Sequence, residues 1–460
     1  MVLVWTFTLD IAVSAEALRI LESGDENQDG RYTGEDLELG LQRCRPGCLL
    51  RIGPHLYEDV SIVIENEFPE GLTIEGAGSG RSILRSPVPV GGPVFWLKGG
   101  QSGVVFSHFG LDGRKDEQTN LSQISESVGI RVSDLSRRGS DAGRIESVAI
   151  AHFLTAGILV RDGRNWQIRD NRVDDIGCHT SQPCPLMPGA DADPHVKGRR
   201  TVGYGIMLNG VSASGALVES NRVSNVSKIG IEAFSSGATP GSKDRIRDAR
   251  LIKNRVSGAV SVGITSNGGV GIEIIGNEVW DSGGPGLIGN GGAGISCGGP
   301  SEKILIADNV VYDTDGSGLR IGCKGNDVTV RGNRVEAACR RNLVEQGAIQ
   351  IVGRKGRGRG IVIENNVVDG AVDRCTYALL LVQWDDVQLL GGRYEGGSRS
   401  AIYVGDSKGV RVADLEASAL NGPSVWIRPD VTDITIAADV RIDRAAIRDT
   451  GATDLVFEAN

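Results

Sequence analysis

An all-β solenoid built from short stacked strands is predicted by three features of this 460-residue chain. The triplet Asn-x-Val recurs along the chain, and seven of its asparagines, Asn171, Asn221, Asn254, Asn277, Asn309, Asn333 and Asn366, are 23 to 50 residues apart. Six of these are trailed by a Gly-apolar step, as in Gly205-Ile206, Gly230-Ile231, Gly263-Ile264, Gly294-Ile295 and Gly318-Leu319. The 66 glycines are about twice the usual share while aromatic residues are only 5%, so Val, Ile and Leu have to fill the interior. Irregular spacing between the asparagines excludes a helical repeat array and fits strands joined by turns of variable length.

Each unit carries short β-branched runs, such as Val328-Thr-Val-Arg331 and Ile361-Val-Ile-Glu364, bounded by Gly, Asn and Asp. Asn at a recurring corner tolerates left-handed backbone and can bond its neighbours above and below, and Gly relieves the next corner. Stacked coils of this kind give parallel strands, an apolar interior and end coils that need caps. The expected organisation is a cap over residues 1–43, a solenoid over 44–440 and a tail over 441–460.

The chain from about residue 37 to 440 resembles the right-handed parallel β-helix of the pectate-lyase-like superfamily. Asp36-Leu-Glu-Leu-Gly-Leu-Gln-Arg43, then Pro46-Gly47, Leu49-Leu-Arg-Ile52 and Tyr57, is similar to the short capping helix and first strand of such proteins. Gly71-Leu-Thr-Ile-Glu-Gly-Ala-Gly78 and Leu111-Asp-Gly113 resemble their first full turns. The resemblance implies a fold and leaves open the chemistry, since lyases, hydrolases, epimerases, esterases and phage adhesins share it.

Composition narrows the setting. A net charge of −9 argues against a general nucleic-acid binder. No apolar run is long enough to span a membrane. The apolar start, Met1-Val-Leu-Val-Trp-Thr-Phe-Thr-Leu9, lacks a basic region and meets Asp10, so a trimmed signal peptide and a first strand of the cap both remain open. The eight cysteines form four local pairs: Cys44 with Cys48, Cys178 with Cys184, Cys297 with Cys323, and Cys339 with Cys375. Paired in this way they favour disulfides and a secreted or periplasmic protein, the alternative being four pairs of buried thiols.

Asp25, Asn27, Asp29, Thr33 and Asp36 occupy positions one, three, five, nine and twelve of a loop with Gly30 at six, and the Arg31 carbonyl falls at seven. The loop lies between helix-like runs over Ala15–Ser23 and Leu37–Arg43, and it resembles the calcium loop of EF-hands and dockerin modules. A structural Ca2+ that fixes the cap is the expectation, with Asp25, Asn27, Asp29, Arg31 and Asp36 as ligands. A solvated turn is the alternative reading.

Alternation along the Gly-Ile strands points one residue of each outward. Down the stack these are Arg131, Leu159, Met207, Glu232, Thr265, Ser296, Arg320 and Gln350, then Tyr403. Two basic islands stand out in an acidic chain: Lys197-Gly-Arg199-Arg200, and Arg354-Lys355 with Arg357 and Arg359. Arg is suited to bidentate carboxylate binding, so an anionic polysaccharide is the expected partner. The long segment from Cys178 to Tyr204 carries Asp193-Pro194-His195, which resembles the Asp-Pro-His of mannuronan epimerases, although Ala190-Asp191-Ala192 stands where those enzymes have Tyr-Gly-Phe.

Removing the carbon-five proton of a uronate needs a neutralised carboxylate, a base and an acid. Arg320, Lys324 or the Arg354–Arg359 loop is expected to serve the first need, His195 or Lys228 the second and Tyr204 the third. The candidate catalytic set is therefore Asp193, His195, Tyr204, Glu232 and Arg320, with Arg199, Arg200, Lys324, Gln350, Arg354 and Lys355 binding substrate. The expected activity is that of a polysaccharide lyase or epimerase. A glycoside hydrolase pairing Glu232 with Glu273, Asp191 or Asp193 is the second reading, and a non-catalytic glycan-binding adhesin the third.

Overall fold

The computed structural model describes residues 20–23, 31–65, 70–89, 91–99, 102–118, 126–133, 141–161, 163–178, 203–210, 213–235, 242, 245–284, 291–323, 325–341, 346–353, 358–369, 374–437, 439–441, 447–449 and 453–457. Among them the chain winds through three parallel sheets of 16, 13 and 14 strands. One turn shows the order: Leu217–Glu219 lies in the sixteen-stranded sheet, Arg222–Val226 in the thirteen-stranded sheet and Ile229–Phe234 in the fourteen-stranded sheet. Arg250–Ile252 then returns to the first sheet, one coil on. This is the right-handed parallel β-helix the repeat predicts.

The corner between the first two strands of each coil explains the Asn-x-Val motif. The residue before each asparagine is left-handed at every rung, with φ of 53° at Asp170, 56° at Ser220, 53° at Lys253, 62° at Gly276, 55° at Asp308, 61° at Gly332 and 51° at Asn365. That kink turns each asparagine side chain inward, where all seven are at most 2% exposed. They stack as one ladder even though the neighbours are 23 to 50 residues apart in sequence. The Oδ1 of Asn277 accepts from the backbone N–H of Asn254 at 2.9 Å and from its Nδ2 at 3.0 Å. The Nδ2 of Asn277 in turn donates to Asn309 Oδ1 at 2.9 Å and to the Leu251 carbonyl at 2.8 Å. The pattern repeats from Asn171 to Asn366, so each corner's buried polar groups are bonded by the next coil.

The two repeated motifs interlock. Val173, Val223, Val256, Val279, Val311 and Val335 each place Cγ1 where a Cβ would stand on Gly157, Gly205, Gly230, Gly263, Gly294 and Gly318 respectively. The valine of one strand thus fills the space left by the glycine of the preceding fourteen-stranded-sheet strand. Below that point the glycine gives way to Ala348, Ala378 and Ala401.

The helix Gly34–Gln42 closes the N-terminal end, burying Leu37 and Leu41 over the first coil, with Gly40 close against Leu50. Its start is held by a capping box: the Asp36 carboxylate accepts from the Thr33 N–H at 2.7 Å and from Thr33 Oγ1 at 3.1 Å. One expectation fails here. The described part of the run Ala15–Ser23 is not helical: Ile20–Ser23 pairs in parallel with Leu49–Ile52 and extends the sixteen-stranded sheet. Pairing with an open sheet edge outweighs a weak local helical pattern. At the other end Ile447–Asp449 and Thr453–Phe457 continue two of the sheets.

The disulfides Cys44–Cys48, Cys297–Cys323 and Cys339–Cys375 form as paired from the sequence, the last two linking neighbouring coils. Cys178 is also disulfide-bonded, while Cys184 lies outside the described residues. No helix among the described residues is long and apolar enough to cross a membrane.

Candidate functional site: the outward face of the fourteen-stranded sheet

Connection length marks one face. The asparagine corners are short, as at residues 220–221. The connections bordering the fourteen-stranded sheet are long: residues 177–203 precede Tyr204–Asn209, 235–249 follow Ile229–Phe234, 281–292 precede Ala293–Gly298 and 337–346 precede Gly347–Val352. Long connections around a rigid sheet are where binding residues concentrate.

On this face the outward residues stand in strict register. Arg131 aligns with Leu159, Leu159 with Met207, Met207 with Glu232, Glu232 with Thr265, Thr265 with Ser296, Ser296 with Arg320 and Arg320 with Gln350. The polar stretch from Glu232 to Gln350 covers four strand spacings, about 19 Å. Glu232, Thr265 and Gln350 are at most 6% exposed, so this is a recessed polar strip rather than a solvated surface. Thr265 Oγ1 and Ser296 Oγ are 2.7 Å apart, and Ser317 Oγ donates to Gln350 Oε1 at 2.9 Å.

Tyr204 begins its strand where the connection 177–203 ends, and Lys228 precedes Ile229 one coil on. Lys228 Nζ donates to Tyr204 Oη at 2.7 Å and lies 4.9 Å from the centre of its ring. Tyr204 pairs with Ile229, three residues before Glu232, which puts the two Cα atoms about 11 Å apart. Arg320 stands three strand spacings from Glu232, about 14 Å, and four from Tyr204. Tyr204, Glu232, Arg320 and Gln350 therefore share one face, with Tyr204 one coil before Glu232 and Arg320 one coil before Gln350. Asp193, His195, Arg199, Arg200, Lys324, Arg354 and Lys355 lie outside the described residues.

Glu273, the first proposed hydrolytic partner of Glu232, is on a different sheet. It belongs to Glu273–Ile275 of the sixteen-stranded sheet and bonds Arg250 at 2.9 Å. The two carboxylates cannot face one sugar. Of the calcium-loop residues, Arg31 and Asp36 are described, whereas Asp25, Asn27 and Asp29 are not. The capping box turns the Asp36 carboxylate back onto Thr33.

Sequence reading missed two clusters on the thirteen-stranded sheet. His152 Nδ1 lies 2.9 Å from Asp112 Oδ1 and its Nε2 3.7 Å from Asp175 Oδ2, while Lys115 Nζ bonds Asp175 Oδ1 at 2.5 Å. The hydrogen bond to Asp112 raises His152 above its ordinary range. Burial would raise Asp112, yet the bonds from His152 and the Arg114 N–H hold it below the usual carboxylate range. Trp280 and Tyr312 stack at 5.8 Å with 4° between planes, under the Arg255 guanidinium. Both clusters join residues of different coils, and only the strand register shows them as neighbours.

The family model for the right handed beta helix region matches residues 156–368. No curated protein matches the sequence. Among solved structures, the Dettilon tailspike protein is similar at 14% identity, covering 95% of this chain and 68% of that one with a TM-score of 0.50. A DFA-IIIase from Arthrobacter chlorophenolicus A6 in complex with DFA-III is 12% identical, covering 96% and 100% with a TM-score of 0.48. The A-module of a mannuronan C-5 epimerase from Azotobacter vinelandii is 13% identical, covering 93% and 100% at 0.43. Identities this low speak to architecture alone. Sheet order, asparagine ladder and the 156–368 match agree on one conclusion: this chain is built around a right-handed β-helix region.

Proposed function

We propose that the chain is a secreted enzyme acting on an anionic polysaccharide, a uronate lyase or epimerase, with the glycan lying along the recessed strip from Met207 to Gln350. The observation that carries this reading is the contact between Lys228 Nζ and Tyr204 Oη at the edge of the strip. A proton can pass between these two groups, which supplies the base and the acid that abstraction at carbon five requires. In elimination the carbon-five proton goes to the base, the electron pair forms the new double bond and the glycosidic oxygen leaves with a proton from the acid. In epimerisation a proton returns to carbon five from the opposite face.

Arg320 is assigned to the carboxylate of a neighbouring sugar unit, given its distance from Tyr204. Gln350 and the Thr265–Ser296 hydroxyls contact sugar hydroxyls. Asp193 and His195 are assigned to the reaction, and Arg199, Arg200, Lys324, Arg354 and Lys355 to binding the polyanion. A hydrolase fits less well, because Glu232 is the one carboxylate in the aligned rank from Arg131 to Gln350. Incubation with alginate, pectate and glycosaminoglycans, followed by near-ultraviolet absorbance and uronate composition, tests the reading. Unsaturated ends or altered uronate composition support it. Reducing ends alone point to hydrolysis, and retention without turnover to a glycan-binding adhesin.

A further inference from the structure

The rank that contains the polar strip continues past it. Gln350 aligns with Leu380, Leu380 with Tyr403, Tyr403 with Trp426 and Trp426 with Arg448. The chemistry changes along this line from hydroxyl, amide and guanidinium groups to aromatic rings. Tyr403 meets Trp426 edge-on at 5.6 Å and rests on Tyr377 at 4.7 Å. Tyr377 is 3% exposed, so Tyr403 is supported from below, while Tyr403 and Trp426 are themselves half-buried. Arg428 Nη1 lies 3.4 Å from Tyr403 Oη, and the Arg448 guanidinium 4.8 Å from the Trp426 ring centre.

The other end of the same rank offers a comparison. Trp96 also carries an arginine on its ring, Arg131 at 4.6 Å. There the indole N–H donates to Ser133 Oγ at 2.8 Å and Arg131 Nη1 is ion-paired with Glu126, although its Nε has no partner among the described residues. The Trp426 indole N–H has no acceptor among the described residues. The two Trp–Arg stacks on one rank thus differ at the indole: the Trp96 N–H is bonded to Ser133 and the Trp426 N–H to no described residue.

We infer that Tyr403 and Trp426 form a distal subsite that holds a sugar ring of the same polysaccharide, beyond the strip where the reaction takes place. This rests on the reading that the glycan lies along the rank. Trp426 is four strand spacings from Arg320, about 19 Å, so the subsite engages a sugar several units from the one held at Arg320. Ring faces and edges give sugar C–H groups an apolar contact, and the Arg448 guanidinium suits a ring that bears a carboxylate, with Arg428 beside it already paired to Asp430 at 3.5 Å.

Affinity electrophoresis through gels containing sodium alginate, polygalacturonate or a neutral β-glucan tests the subsite, with melting temperature as the check on folding. Tyr403→Ala and Trp426→Ala are expected to weaken polyuronate retardation about tenfold. Tyr403→Phe, which keeps the ring, is expected to hold it, and this variant decides the matter should either alanine variant melt early. Ring-deleted variants retarded like the unaltered protein overturn the subsite and leave the proposed function standing. Retardation by the neutral glucan alone, lost in the variants, supports the subsite and overturns the uronate reading. No retardation by any of the three overturns both.

Discussion

Val256 Cγ1 occupies the space that a Cβ on Gly230 would need. The two residues belong to different repeated motifs and to different sheets, and the contact explains why both motifs recur together. A valine that fills the corner of one coil requires a missing side chain on the strand before it. Replacing Gly230 with Ala is expected to destabilise the fold by about 1–3 kcal/mol through overpacking. Adding Val256→Ala in the same chain is expected to recover part of that loss, which a double-mutant cycle in urea measures. Equal, additive losses would show that the two side chains do not compete for the same space.

The asparagine ladder predicts a position dependence. Asn277→Ala removes the side-chain partner of the buried Asn254 N–H and Leu251 carbonyl, and one of the two bonds each of Asn254 Nδ2 and Asn309 Oδ1, which keep the Val218 carbonyl and the residue 277 N–H. The expected cost is about 3 kcal/mol or more. Asn366 ends the ladder and donates to the Val330 carbonyl without a further asparagine below it. Asn366→Ala is expected to cost measurably less, and chemical denaturation of the two variants compares them.

Cys339–Cys375 ties neighbouring coils across a sequence separation of 36 residues. Replacing both with Ser is expected to remove about 2–4 kcal/mol, read as a lower melting temperature. A thiol reductant is expected to lower the melting temperature of the unaltered protein and to have little further effect on this bond in the variant.

The Asp112–His152 contact sets a pH window. His152 is raised by its bond to Asp112, so its contribution is fully present below the unfolded histidine value and is lost as pH rises through the higher folded value. Asp112 is held low, so its share is present above the unfolded carboxylate value and lost as pH falls through the folded one. The melting-temperature difference between the unaltered protein and His152→Gln should therefore be largest between these limits and shrink in mildly alkaline buffer. A difference that stays constant from acid to alkali would rule out a charged pair.

We propose that the loop from Asp25 to Asp36 holds a structural calcium ion, with Asp25, Asn27, Asp29, Asp36 and the Arg31 carbonyl as ligands. Asp25→Ala is expected to lower the melting temperature in calcium and to leave it unchanged in chelator. An equal loss in both would identify a turn that binds no ion.

Much of this architecture was legible in the sequence because its determinants are local. The asparagine and glycine of each corner are set by backbone conformation, and the outward residues follow from alternation along a strand. The rank from Arg131 to Gln350 was therefore readable without coordinates. Contacts between coils were not. The bond from Lys228 to Tyr204 and the His152 cluster depend on register between strands far apart in the chain, and the connections between them vary too much in length for spacing to reveal it. Glu232 and Glu273 show the converse: paired from the sequence as hydrolytic carboxylates, they stand on different sheets. The first strand, Ile20–Ser23, was hidden for a related reason, since its partner Leu49–Ile52 lies beyond the helix.

In the proposed reaction Tyr204 and Lys228 move the carbon-five proton of a uronate. Proton magnetic resonance of alginate and pectate incubated with the protein in heavy water tests it directly. Loss of the carbon-five proton signal, with either a vinyl signal or deuterium in the epimerised unit, is the predicted result, and Tyr204→Phe should abolish it without changing the melting temperature. New reducing-end signals with the carbon-five proton intact, or undiminished exchange in Tyr204→Phe, would contradict the account.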